Sequence, residues 1–181
     1  LTDSFTYTLS DGTATTTGTL SITLLGQDNE SPSATNNTNS VNEDASVSAS
    51  DGSTGATGDV LTNDSDPDGD TLSVSKIKKN NGSFSNVSSG TTNSNGTSIT
   101  GTYGTLVIGA DGSYTYTADQ SLADDLDVSD QVTDIFVYEV SDGNGGTAQA
   151  NITITVTGIN DTPDAVDDTD TVNENETVTK T

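Results

Sequence analysis

Cysteine, histidine, methionine, tryptophan and arginine are all absent from this chain of 181 residues. Without cysteine there are no disulfides and no thiolate metal sites, and the redox character of the compartment leaves no mark on the sequence. Without histidine the usual zinc ligand and the commonest general base are missing. Positive charge is scarce too: four lysines, Lys76, Lys78, Lys79 and Lys180, face 28 Asp and Glu, for a formal net charge of -24. Such a surface repels the phosphates of nucleic acid and anionic lipid headgroups, so neither nucleic-acid binding nor membrane insertion is expected. No apolar run approaches the ~20 residues of a membrane-spanning helix. Cations are the natural partner. The lack of methionine, and an opening in mid-strand at Leu1-Thr2-Asp3-Ser4-Phe5, lead us to expect an excerpt of a longer polypeptide.

Large apolar residues are also few. Leu, Ile, Val and Phe make up 35 of 181 positions, just under the ~20% below which a highly charged chain is expected to be disordered. Their patterning argues the other way. Leu72 and Val74, Leu106 and Ile108, Tyr114 and Tyr116, Phe136, Tyr138 and Val140, and Ile152, Ile154 and Val156 each recur at alternate positions, the period of half-buried strands. The two signals agree if cations neutralise the chain as it folds.

An internal repeat gives the organisation. Asp3-Ser4-Phe5-Thr6-Tyr7-Thr8-Leu9-Ser10-Asp11-Gly12 recurs 131 residues on as Asp134-Ile135-Phe136-Val137-Tyr138-Glu139-Val140-Ser141-Asp142-Gly143. Leu20, Ile22, Leu24 and Gly26 recur as Ile152, Ile154, Val156 and Gly158, and Val41-Asn42-Glu43 as Val172-Asn173-Glu174. Residues 1–32 then read as the C-terminal strands of a preceding repeat, 33–163 as a complete unit, and 164–181 as the start of a following one. Turn residues at Asp111-Gly112-Ser113 and at 141–146 separate the runs. The middle unit shows about seven or eight short strands and no helix beyond a turn or two at 122–126. Asp59 to Asn63 is expected as its second strand and Thr71 to Ile77 as its third, in an all-β, two-sheet Greek-key sandwich of immunoglobulin or cadherin type. Residues 78–102, rich in Asn, Gly, Ser and Thr, are expected to be a long loop with a short hairpin.

The sharpest motif is Asp64-Ser65-Asp66-Pro67-Asp68-Gly69-Asp70. Carboxylates at alternate positions before a glycine match the first half of a calcium loop, where the tight turn folds successive oxygens around one ion. The twelfth residue from Asp64 is Ser75 and not Glu, and the flanks read as strands, which excludes an EF-hand. A lone D-x-D is usually a solvated turn. Four aspartates in seven residues with almost no compensating cation make an empty loop costly through mutual repulsion. A second candidate is the exit Gly158-Ile159-Asn160-Asp161-Thr162-Pro163, echoed by Gly26-Gln27-Asp28-Asn29-Glu30-Ser31-Pro32, where proline stiffens a linker. In the sandwich, Asp28, Asn29, Asp64, Asp66, Asp68, Asp70 and Asp142 converge at one junction, and Glu43, Asn160 and Asp161 supply the counterparts at the next.

The strings 63–70, Gly101-Thr102-Tyr103-Gly104-Thr105-Leu106, Asp111-Gly112-Ser113-Tyr114-Thr115-Tyr116 and Gly158 to Pro163, in that order, resemble the VCBS and cadherin-like repeats of giant bacterial RTX adhesins. The resemblance covers nearly the whole chain. It implies type I secretion, extracellular folding in calcium, and service as an extender in adhesion and biofilm formation. It also implies calcium ligation at junctions between neighbouring repeats, carried onto Asp66, Asp68, Asp161 and Glu43.

Three rivals were weighed. Paired carboxylates can hydrolyse glycosides, but 28 acids give close pairs by chance, so no enzyme is expected. A carbohydrate-binding module has only Phe84 and Tyr103 as loop aromatics, with no tryptophan. A subunit of an extracellular fibre, joined end to end with other copies, is the third.

Overall fold

The computed structural model describes residues 1–26, 28–44, 46–49 and 59–161, together with 167, 169, 171–175 and 177; of 46–49 it describes the backbone alone. The expected linker positions Gln27, Thr162 and Pro163, and much of 164–181, lie outside these residues.

Two sheets enclose the core of the middle unit. Strands β3 (Asn37–Asn42), β5 (Ser73–Lys79), β6 (Ser85–Asn86), β10 (Gln131–Ser141) and β11 (Thr147–Thr157) form one, in the order β3-β11-β10-β5-β6. Strands β4 (Ser46–Ala49), β7 (Thr97–Thr100), β8 (Thr105–Ile108) and β9 (Tyr114–Thr117) form the other, in the order β4-β9-β8-β7. Among the described residues β3 on β11 is the one parallel pairing and the others are antiparallel. The chain changes sheet between β3 and β4, between β4 and β5, between β6 and β7 and between β9 and β10, giving the expected all-β sandwich. Among the described residues one four-residue helix, α1 (Ser121–Asp124), lies in the connection from β9 to β10.

The alternation read from the sequence is what fills the space between the sheets. Phe136, Tyr138 and Val140 of β10 and Ala150, Ile152, Ile154 and Val156 of β11 point inward against Leu106, Ile108, Tyr114 and Tyr116. The rings of Tyr116 and Phe136 meet edge to face, with centroids 6.1 Å apart. Val74 and Ile77 are both buried although three positions apart, an odd spacing that strict alternation forbids. A bulge reconciles them: the β10 register slips between Glu139 and Val140, so that Ser75 has no partner of its own. Between the sheets, buried Asp134 accepts hydrogen bonds from the N–H groups of Thr102, Tyr103 and Gly104 and from the Tyr116 hydroxyl, fastening the 101–104 turn to the opposite strand.

The sequence reading errs at the second strand. Residues 59–63 are not a strand but a turn, in which Asp59 Oδ1 accepts from Leu61 N and Thr62 Oγ1. Val60 and Leu61 are adjacent and do not alternate, and Val60 reaches the core from this turn, its N–H bonded to Gly112 O. The second strand is β4, whose Ser-rich sequence hides it. The third begins at Ser73 and not at Thr71. The stretch 78–102 carries β6 and β7 and is more structured than expected: Val87 is buried, Ile99 packs on the core, and Thr91 and Asn93 bond to the 109–115 segment.

Ahead of this unit, β1 (Thr2–Ser10) and β2 (Thr15–Thr23) form a separate hairpin. Its register reproduces that of β10 and β11: Phe5 faces Leu20 and Asp3 faces Ile22, as Phe136 faces Ile152 and Asp134 faces Ile154. The face that is core in the second hairpin is open in the first, where Phe5, Tyr7, Leu20 and Ile22 are all about half exposed.

Candidate metal centre

β3 runs from the end of the sandwich where residues 28–35 come in to the end where 158–161 leave, so the predicted ligands fall into two groups at opposite ends. At the first end a short strap crosses the acidic loop. Asn29 Nδ2 donates to Asp142 Oδ2 (2.9 Å), Glu30 N to Asp68 Oδ2 (2.7 Å), and Thr35 N to Asp64 Oδ1 (2.7 Å). Ser33 and Ser65 exchange backbone hydrogen bonds of 2.8 and 3.0 Å. Within the strap, Pro32 is buried.

The loop is wound around one carboxylate. Asp66 Oδ1 accepts from the N–H groups of Asp68 (2.8 Å) and Asp70 (3.2 Å), which curls the following residues back over it. Gly69, at φ 77°, supplies the left-handed residue that this curl needs. The turn after β10 adds a second carboxylate: Asp142 Oδ1 accepts from the N–H groups of Asn144, Gly145 and Gly146. A side chain on Gly146 would run into Asp142 Oδ2 and approach Ser31 Cα to 2.9 Å, so the turn and the strap touch only because that residue is glycine. The hydrogen bond from Asn29, with those from the turn, holds the Asp142 carboxyl below the usual carboxylate range against the opposing effect of burial.

Asp66, Asp70 and Asp142 each direct one carboxylate oxygen into a common space, all within 4.8 Å of one another. Asp28, Asn29, Asp68, Asp70 and Asn144 line the open cleft beside them. No lysine accompanies this group: the one ion pair among the described residues is Lys76 with Glu139, on the outer face of the sheet. Asp66 Oδ2 is buried and has no hydrogen-bond partner. An orphaned buried carboxylate oxygen is costly, and here it belongs to a carboxylate grouped with two others. The set is all oxygen and anionic, the chemistry of a hard divalent cation, and calcium fits it.

Asp64 is engaged elsewhere. Its two oxygens lie 3.2 and 3.0 Å from the Tyr138 hydroxyl, and burial pushes its carboxyl above the usual range. Asn144 was not foreseen from the sequence. Its side chain donates to Asp70 Oδ2 (2.8 Å) and ties the turn to the acidic loop; beyond Asp142, the Asp-Gly-Asn-Gly-Gly string reads in the sequence as turn chemistry alone.

At the opposite end Glu43 is buried, with 1% of its surface exposed. Its Oε1 accepts from Ile159 N at the root of the outgoing linker, and its Oε2 has no partner. Asn160 and Asp161 follow on the exposed linker, with Asn160 Nδ2 bonded to Asp161 O. Glu43 is thus brought to the linker, whereas no grouping of its oxygens with those of Asp161 is seen. The loop aromatics weighed for carbohydrate are occupied: Lys78 Nζ stands 4.7 Å over the Phe84 ring, and Tyr103 packs on the core.

The model of the bacterial cadherin-like domain family matches residues 29–158, most of the chain. The protein belongs to the bacterial cadherin-like domain family. Cadherin-like domains generally bind calcium and serve structural or adhesive roles, not typically enzymatic ones, in extracellular repeats. For this cadherin-like chain no curated protein gives a match. Among the described residues no helix is long and apolar enough to cross a membrane.

Proposed function

We propose that this cadherin-like unit is a calcium-stiffened extender repeat of a large bacterial surface adhesin, and that the ion sits where the incoming strap meets the acidic loop. The observation that carries this reading is Asp66, whose buried Oδ2 has no partner and whose carboxylate groups with those of Asp70 and Asp142. Asp66, Asp70 and Asp142 would hold the ion, with Asp28, Asn29 and Asp68 from the cleft around it. Calcium there would replace carboxylate repulsion by short oxygen contacts of ~2.3–2.6 Å. Because Asn29 and Glu30 belong to the strap, the ion would lock the angle at which the preceding segment joins the sandwich. Glu43, Asn160 and Asp161 would serve the next junction in the same way. Asp64 is the weakest of the proposed ligands, since both its oxygens are near other partners.

The same reading treats β1–β2 as the last hairpin of a preceding repeat, 33–163 as a complete one and 164–181 as the start of another. The matched register of the two hairpins, and the apolar face left open on the first, support it. The adhesin context, type I secretion and a role in biofilm follow from the resemblance to RTX-type adhesins. Assembly as a fibre subunit is a weaker alternative, favoured only by that open face. Calorimetric titration of the chelator-treated protein with calcium tests the site. Saturable uptake that Asp66→Asn and Asp142→Asn each weaken at least tenfold is expected, and uptake indifferent to both would remove the assignment.

A further inference from the structure

Tyr138, a core residue on β10, stands at the root of the acidic loop. Its hydroxyl is buried where three segments cross: Thr35 O of the strap (3.0 Å), Val60 O of the 59–63 turn (3.2 Å) and both oxygens of Asp64 (3.2 and 3.0 Å). One hydroxyl proton faces these four acceptors. Asn37 Nδ2 donates to the same hydroxyl at 3.1 Å, which leaves the Tyr138 proton free to point at Asp64 or a carbonyl. Asp64 in turn accepts from Thr35 N. Asp64, Thr35 and Tyr138 therefore close a triangle that fixes where the loop begins, two residues before Asp66.

We propose that Tyr138 is a positioning residue for the calcium site: its hydroxyl holds Asp64 and the strap in the register that aims Asp66, Asp70 and Asp142 at one point. This rests on the metal-site reading above. Tyr138 touches none of those three carboxylates by any hydrogen bond seen here, so its effect passes through the backbone of 64–66 and 33–35. The Asp66 curl, in which the Asp68 and Asp70 N–H groups bond Asp66 Oδ1, begins directly after this triangle. Loss of a buried hydrogen bond to a charged group is large enough to move such a loop.

The test is a set of hydroxyl and carboxyl deletions read at a temperature far below unfolding, where a purely structural loss would leave the affinity of the folded protein unchanged. Tyr138→Phe should weaken calcium binding about tenfold. Tyr114→Phe is the control: it removes an equally buried hydroxyl, one bonded to Asn39 Nδ2 and far from the loop in the hydrogen-bond network, and should leave affinity unchanged. In a double-mutant cycle, Tyr138→Phe with Asp64→Ala should lose no more than the worse single variant; additive losses would overturn the coupling and leave Asp64 as an independent ligand. In chelator, amide exchange at Asp68 and Asp70 should be faster in Tyr138→Phe than in wild type. Should Tyr138→Phe not fold, the same exchange measured in Asp64→Ala decides, and unchanged protection overturns the proposal. Wild-type protein that takes up no calcium would sink the metal-site reading, while the exchange comparison would still judge Tyr138.

Discussion

Asp66→Asn should move stability in opposite directions with and without calcium. The amide keeps an oxygen at Oδ1 for the Asp68 and Asp70 N–H groups, and it replaces the orphaned Oδ2 with an N–H donor. It also removes one of three negative charges whose ligand oxygens lie within 4.8 Å. At that separation the Asp66–Asp70 pair alone repels by about 0.9 kcal/mol in water and about 3.5 kcal/mol at an effective dielectric of 20. Calcium-free Asp66→Asn should therefore be more stable than calcium-free wild type by about 1–3 kcal/mol. At roughly 3 °C per kcal/mol for a unit of this size, Tm rises by about 3–9 °C. In calcium at about 1,000 times Kd, wild type gains about 4.1 kcal/mol per site, and the variant, binding at least tenfold more weakly, should lose about 1.4 kcal/mol or more of that gain. Scanning calorimetry of both proteins in chelator and in calcium gives the four values needed. A variant that melts lower than wild type in chelator, or that gains as much from calcium, would refute the argument.

Acid should act through Glu139, whose carboxyl is held below its usual 4.5 chiefly by the 2.7 Å contact with Lys76 and also by Gln149 and Ser75, against burial. A depressed carboxylate stabilises the fold above its unfolded pKa and loses that contribution as pH falls through the folded value. Lys76→Met should therefore reduce stability at pH 6 while leaving it little changed below the depressed value, as acid unfolding followed by circular dichroism would show; an equal loss at both ends would contradict this. Asp134→Ala leaves three backbone N–H groups and the Tyr116 hydroxyl without their acceptor. It should cost about 3 kcal/mol or more in urea unfolding, and a cost under about 1 kcal/mol would show that the 101–104 turn is held by something else.

Much of this arrangement was legible in the sequence because the two hairpins repeat it. Phe136, Tyr138, Ile152 and Ile154 alternate without interruption, and the same phase in Phe5, Tyr7, Leu20 and Ile22 makes accident implausible. Asp142 could be placed near 64–70 because sandwich connectivity brings the turn after β10 to the end where the strap comes in. The missed strand has a physical reason: Ser46–Ala49 carries a single large apolar residue, Val47, and its place in the sheet is set by pairing with β9. Val60 and Leu61 drew attention to 59–63 by hydrophobicity alone, yet a turn can bury Val60 just as well. The bulge at Ser75 left no mark that period-2 reading could find. Asn144 and the triangle of Tyr138, Asp64 and Thr35 depend on contacts between residues 29 to 103 positions apart, which no local pattern encodes.

The central claim is mechanical: calcium fixes the joint between neighbouring units. Small-angle scattering of a chain carrying two or three complete units, recorded in calcium and in chelator, tests it most directly. A stiff rod in calcium that becomes a flexible, more compact ensemble in chelator is the predicted result. Equal maximum dimension and equal flexibility in both conditions would contradict the extender mechanism, even if calcium were bound.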